Sequence, residues 1–492
     1  MDDEKMEWRQ LQGLQYRIGF VTIAFFIKLW QIRLLTVLNM VIFWIDWFCL
    51  LAGTGFFLLF AVTSWREGEK RAVGLAVLLL LGNGLFWGLL LAQRHDAAVR
   101  AGNAVLLILP VFFIALSLLK YFPSRSAPLE LDCVERFDER DHMFSRNQLK
   151  FNTTLADLYY ARHPQLRGGD EKIQGRPELG QPGHVYDNPC YSPAFAAAFA
   201  YLKRIKTATV SVVNKEKTPV DSVKFSAAIT ALARYYGAVD VGIAPLRPHH
   251  FYSHAGRFQE DWGNPIEAGR GSAVVVVVAM DWKMIAHAPS LPAILESARQ
   301  YVEAAKIASL ITEYICGLGY RARAHTDGNY QVLCVPLAVD AGLGELGRLG
   351  LLIHPVFGPC VRLAVVTTEL ELEPTPKRAI HIDSFCRICK KCAANCPTHA
   401  ISNGEEPFSR NFRHWSVIQE NCYAFWKQIG TDCAVCIRSC PYTKPDTLLH
   451  RLIRFYVSRN SLNQRLALLM DDLFYGRKKK ISALNPDDIL PY

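Results

Sequence analysis

The chain has 492 residues, 51% of them hydrophobic, with a formal net charge of +10 and 14 cysteines. That length exceeds a small electron carrier and leaves room for about two to four domains. The cysteine usage excludes a secreted disulfide scaffold and suits a reducing compartment with an oxygen-sensitive cofactor. Basic residues are spread along the sequence and only Arg477–Lys480 forms a run, which reads as a solvated tail rather than a site for nucleic acid or anionic lipid.

The first 120 residues are too apolar for a soluble domain. Trp47–Thr63, Ala72–Ala92 and Ala104–Leu119 each approach the length that a hydrocarbon core requires. Ile18–Trp30 is shorter and carries Lys28, so it spans or lies in the interface. Residues 1–121 are therefore expected to be a permanent anchor of three to four transmembrane helices, not a cleaved signal.

Pro123 and Pro128 break the helical pattern and open a soluble region. From there to Tyr191 the composition, rich in Gly, Pro and Tyr, predicts long loops or a lid. Helices are predicted over Ala196–Ile205, Lys224–Tyr236 and Pro292–Leu318. Val239–Ile243 and Ser272–Met280 are β-branched runs, as expected of strands covered on both faces. Leu351–Ile353 and Val361–Thr367 are further strand candidates. This pattern predicts an α/β core over 122–375, a cysteine module over 376–450 and a tail over 451–492.

The cysteine module opens with Cys386-x2-Cys389-x2-Cys392-x3-Cys396-Pro, the spacing of two-cluster bacterial ferredoxins, in which the fourth thiolate serves the other cluster. Cys422, Cys433, Cys436 and Cys440-Pro form a second set. Two 4Fe-4S clusters follow, one on Cys386, Cys389, Cys392 and Cys440, the other on Cys396, Cys422, Cys433 and Cys436. Zinc would need only four of these thiolates. Trp415 and Trp426 flank Cys422 and suit shielding of a cluster.

Ala341-Gly-Leu-Gly-Glu-Leu-Gly-Arg348-Leu-Gly350, then Gly358-x3-Arg362-Leu, then the double cysteine run stand in the order found in corrinoid-dependent reductive dehalogenases, which the chain resembles over residues 125–450. The resemblance implies a vitamin-B12-type, nitroreductase-like α/β core fused to a ferredoxin-like module, with a corrinoid beside the two clusters. It also implies a small organohalide substrate, an oxidoreductase that removes halogen with two electrons and a proton, and an electron donor that is a quinol, a ferredoxin or a flavoprotein. Gly342, Gly344, Gly347, Arg348 and Gly350 are the candidates for corrinoid contact; read alone, such a glycine-rich turn serves tight packing. No Asp-x-His-x-x-Gly segment offers a lower axial histidine, so a base-off corrinoid is expected.

Tyr301 matches the family's proton-donating tyrosine and Arg362 the basic residue beside it, whose guanidinium favours the phenolate. Asn329 is a weaker candidate for orienting substrate or phenol, and reads equally as a turn residue. His249, His250 and His354 show no metal spacing and read as structural. Two rivals remain: an epoxyqueuosine-reductase-like enzyme acting on tRNA, and a membrane iron–sulfur carrier without catalysis. The built-in spans favour neither tRNA nor nucleic acid in general. Because clusters and corrinoid are inserted in the cytosol and no twin-arginine signal is present, the expected place is the inner membrane, with the catalytic domain on the cytoplasmic face.

Overall fold

A stretch that is apolar at every position is stable as a strand only when both of its faces are covered. Residues 272–279 meet that condition, and they become the middle of the principal sheet. The computed structural model describes residues 2–92, 118–119, 134–205, 210–409 and 412–478. They fall in two units, Met1–Lys120 and Tyr121–Tyr492.

The second unit contains strands β1 (Asp240–Pro245), β2 (Ser272–Ala279), β3 (Ala322–His325), β4 (Glu345–Leu346), β5 (Leu352–Ile353) and β6 (Val361–Thr368). Four of them form one sheet in the order β1–β2–β6–β3, every neighbouring pair antiparallel. The valine run reported two-sided burial but not strand direction. Val274, Val276 and Val278 face the long helix Leu291–Gly317 through Ala304, Ile307 and Ile311, with Phe225 and Ile229 of the Ser222–Tyr235 helix completing that layer. Ala273, Val275 and Val277 face Phe251, Val332 and Leu337.

β4 and β5 form a small hairpin within the glycine-rich segment. That segment follows the helix Cys334–Asp340. Glu345 of β4 accepts hydrogen bonds from the backbone N–H of Ile380 and Ile382, both at 2.7 Å, and so fixes the entry to the first cysteine helix, Ile382–Cys389.

Two expectations need correction. The stretch predicted as loops holds three helices, Met143–Gln148, Thr153–Arg162 and Pro164–Gln174. A buried pair, Arg146 with Asp170 at 3.3 Å, and the Tyr160 hydroxyl on Asp170 at 3.0 Å, tie them together, a pattern that short polar helices do not advertise in sequence. The stretch predicted as a tail contains two helices, Leu448–Val457 and Ser461–Tyr475. Of the basic run, Arg477 and Lys478 are exposed, and Arg477 pairs with Asp472 at 2.9 Å and donates to the Cys389 carbonyl at 3.0 Å. β3 was missed because its four residues are too short to show a period.

The first unit is a helical hairpin. Asp2–Arg66 runs as one helix, turns at Gly68 (φ 73°) and returns as Lys70–Ala92. Asn83 ties the two together through the Leu50 carbonyl and the Thr54 hydroxyl, both at 3.2 Å. Met40–Arg66 and Lys70–Ala92 are long and apolar enough to cross a membrane, and they contain two of the predicted spans. Ile18–Trp30 belongs to the same continuous first helix, while Ala104–Leu119 lies, but for its last two residues, outside the described residues.

Candidate active site and cysteine module

Helix periodicity and strand register build the site. Ser297 and Tyr301 lie four residues apart on the long helix and share one of its faces. Arg362 pairs with Val278 across the sheet, which puts it on the face that meets this helix. Its guanidinium carbon stands 4.9 Å from the centre of the Tyr301 ring, and its Nη2 donates to Ser297 Oγ at 2.7 Å and to Asp432 at 3.3 Å. Ser297 also donates to Asp432. Asp432 immediately precedes Cys433, so one ion pair joins the candidate proton donor to the cysteine module.

Burial, opposed by Arg362, pushes the Tyr301 phenol up to about 12. The guanidinium favours the phenolate, but burial outweighs it. Asp327 feels the charges of Arg257 and Arg362, and burial raises its pKa. Tyr330 is raised well above the ordinary value, first by burial and then by the charges of Cys334, Asp327 and Tyr301. Tyr301, Asp327, Tyr330 and Cys334 each keep part of their surface uncovered. Buried Arg362 Nε and Asp432 Oδ1 have no hydrogen-bond partner there.

Asn329 sits elsewhere in this network. Its N–H bonds the Thr326 carbonyl at 2.9 Å and its side-chain oxygen accepts from Arg323 at 3.1 Å, so it closes a turn. Two of the histidines are hydrogen-bonded within the protein: His250 takes the Arg247 N–H at 3.1 Å and bonds Asp340 at 2.9 Å, and His354 bonds Asp240 at 3.2 Å. His249, His250 and Asp340 do lie close together, but Lys377 already neutralises Asp340 at 2.6 Å.

The glycine-rich segment turns out to be packed against protein. A Cβ on Gly342 (φ 72°) would strike the Pro376 carbonyl, and one on Gly344 would strike that of Ile353. Gly347 abuts the Ile353 side chain, and Gly350 (φ 74°) packs near Val417. Arg348 is buried: its Nε donates to the Cys386 carbonyl at 3.0 Å, its Nη1 to those of Ser402 and Gly404, and it lies 4.1 Å over Trp415. Arg348 thus ties the core to the cysteine module, and the glycines of the segment pack closely against neighbouring protein.

The eight cysteines gather into two sets. Cys386, Cys389, Cys392 and Cys440 line one cavity with Arg348 and Tyr442. Burial first, and then the charges of Cys386, Cys389 and Cys392, raise the pKa of Cys440. Cys436 is raised to about 12 by burial and then by Cys422 and Cys396, and Cys422 and Cys436 likewise act on Cys433. Thiols kept together and away from water suit metal rather than free-thiol chemistry. Lys390 (φ 57°) and Ala434 (φ 52°) start matching short helices, Lys391–Asn395 and Val435–Ser439, which explains how each run hands its last thiol to the other set. Sequence reading missed Ser297, Asp432 and Glu345; only the position of Asp432 beside a cysteine offered a signal.

Residues 385–444 match the 4Fe-4S dicluster domain family. The chain is 36% identical over 251 residues to a tetrachloroethene reductive dehalogenase of Desulfitobacterium hafniense, covering 49% of this chain and 44% of that one. It is 35% identical over 250 residues to the enzyme of the same name from Dehalobacter restrictus, with the same coverage. The chain thus spans less than half the length of these relatives. Its fold matches that of a catabolic reductive dehalogenase, NpRdhA, solved with 3-bromo-4-hydroxybenzoic acid, at a TM-score of 0.59 and 21% identity over 73% of this chain and 50% of that one. Over about half of its length this chain is similar to tetrachloroethene reductive dehalogenases, and residues 385–444 belong to the stretch that matches a 4Fe-4S dicluster domain.

Proposed function

We propose that this chain reductively removes halogen from a small organohalide: the carbon–halogen bond breaks, two electrons and one proton are taken up, a carbon–hydrogen bond forms and halide leaves. The observation that carries the reading is Arg362, which touches the Tyr301 ring and pairs with Asp432 next to Cys433. The two thiol sets described would hold two 4Fe-4S clusters, which would supply the electrons. A corrinoid, when bound, supplies the cobalt chemistry at the carbon–halogen bond. The unpartnered buried Arg362 Nε and Asp432 Oδ1 fit a polar group placed there, and the partly uncovered Tyr330, Asp327 and Cys334 are the residues that would meet it.

Tyr301 holds its proton at neutral pH and gives it to carbon. Arg362 lies over the ring and stabilises the phenolate left behind. Ser297 and Asp432 keep the guanidinium in place, and burial excludes water that would compete as a proton source. The apolar hairpin supports an inner-membrane location, with the second unit on the cytoplasmic face and a quinol, ferredoxin or flavoprotein as donor.

The test is anaerobic purification followed by metal analysis and halide release from haloethenes and halophenols with a reduced dye as donor. About eight iron and one cobalt per chain, with halide released, is the expected result. Iron without cobalt, and no halide, would leave a membrane electron carrier and sink the proposal.

A further inference from the structure

The helices Leu448–Val457 and Ser461–Tyr475 pack on the protein through Leu449, Val457 and Phe474 together with polar contacts, and carry further apolar residues outside. Asn463 donates to the Tyr456 carbonyl at 2.8 Å, while Gln464 accepts from Ser384 at 3.0 Å and donates to the His381 carbonyl at 3.2 Å. Buried Lys391 takes Asp471 and Asp472. On the outward side the first helix shows Leu448, Leu452 and Phe455, spaced i, i+4, i+7. The second shows Leu462, Leu466, Leu469 and Leu473 with the same spacing extended by a turn. Leu448 and Leu469 are each 64% exposed. Two aligned apolar stripes on neighbouring helices mark a surface that meets something apolar.

Charge identifies the occupant. The hairpin's acidic groups are already engaged, Asp471 and Asp472 with Lys391 and Asp446 with Arg451 and Arg454. Arg465 and Lys478 are exposed, and Lys479 and Lys480 follow in sequence. A basic rim around an apolar face repels a second copy of itself and is neutralised by acidic headgroups. We propose that this hairpin lies in the headgroup region of an anionic bilayer, its leucines and Phe455 inserted and its basic residues on lipid phosphates. The inference rests on the membrane-anchored reading of Met40–Arg66 and Lys70–Ala92. It also brings the Cys386, Cys389, Cys392 and Cys440 set to the lipid, because Arg477 bonds the Cys389 carbonyl and Ser384 of the first cysteine helix bonds Gln464. A lipid-soluble quinol is then the donor class that this set would meet.

The test uses the full chain in vesicles of phosphatidylcholine and phosphatidylglycerol containing a diazirine phospholipid, with photolabelled peptides read by mass spectrometry. Label is expected in both 40–92 and 448–475. In pure phosphatidylcholine the hairpin label should fall several-fold while the 40–92 label holds. The double variant Leu452→Glu, Leu469→Glu should lose the hairpin label and keep its iron–sulfur absorbance. Label in 40–92 with none in 448–475 overturns the inference, and cross-links between hairpins of two chains in that case assign the surface to a dimer. Label in 448–475 alone would support the hairpin and remove the anchor.

Discussion

Arg362 and Asp432 form a buried ion pair at 3.3 Å, and the next residue after Asp432 is a cluster-module cysteine. Through this pair the phenol of Tyr301 and the thiol set of Cys433 share one rigid contact. The candidate proton donor and the cysteine module are thereby linked by two side chains on different modules.

Tyr301→Phe should lower halide release on the order of 100- to 10,000-fold, the usual weight of a general acid, while leaving iron content and unfolding temperature near the parent's. Steady-state assay alongside iron analysis checks this. Near-parent activity toward every accepted substrate would remove Tyr301 from the proton-donor role.

Arg362→Ala leaves Asp432 buried beside Ser297 without its cation, a loss of about 3–5 kcal/mol for a pair of this burial. Asp432→Leu combined with Arg362→Met should recover much of that stability but no activity. Anaerobic thermal unfolding of the three proteins separates the two effects; equal stability of Arg362→Ala and parent would mean that the pair is solvent-screened.

Burial raises the Tyr301 phenol to about 12. An acid with a raised pKa stays protonated to higher pH, so the donor remains loaded through the neutral and mildly alkaline range. The kcat/KM profile should therefore show no alkaline limb from this group up to about pH 10, the unperturbed value. A limb near pH 10 that disappears in the residual activity of Tyr301→Phe would show the phenol to be solvated.

Cys392→Ala and Cys440→Ala should abolish the same cluster signal, and Cys396→Ala and Cys436→Ala the other, each leaving about four of about eight iron atoms. Low-temperature electron paramagnetic resonance of the reduced variants tells the two signals apart. If Cys392→Ala and Cys396→Ala, only four residues apart, removed one signal, the crossed assignment would be wrong.

Gly344→Ala should destabilise the second unit, because its new methyl meets the Ile353 carbonyl, and should lower corrinoid content only in proportion to folded protein. Cobalt per folded chain is the measurement. A fully folded variant that has lost cobalt would return Gly344 to the cofactor.

The cysteine spacing was legible in sequence because a cluster demands thiolates at fixed intervals whatever surrounds them. The valine run of β2 and the amphipathic length of Leu291–Gly317 were equally plain, since burial on two faces or one leaves a period in the residues themselves. Likeness to a known family singled out Tyr301 and Arg362. Their contact needed the sheet, whose register sets Arg362 opposite Val278 and so against the helix that carries Tyr301. Ser297, Asp432 and the clamping use of Arg348 could be decided only in three dimensions, because a hydrogen bond between Ser297 and Asp432 joins residues 135 positions apart and leaves no local trace. The outward leucines of Ser461–Tyr475 make the same point in reverse: periodicity marks an apolar face, and only packing says whether protein covers it.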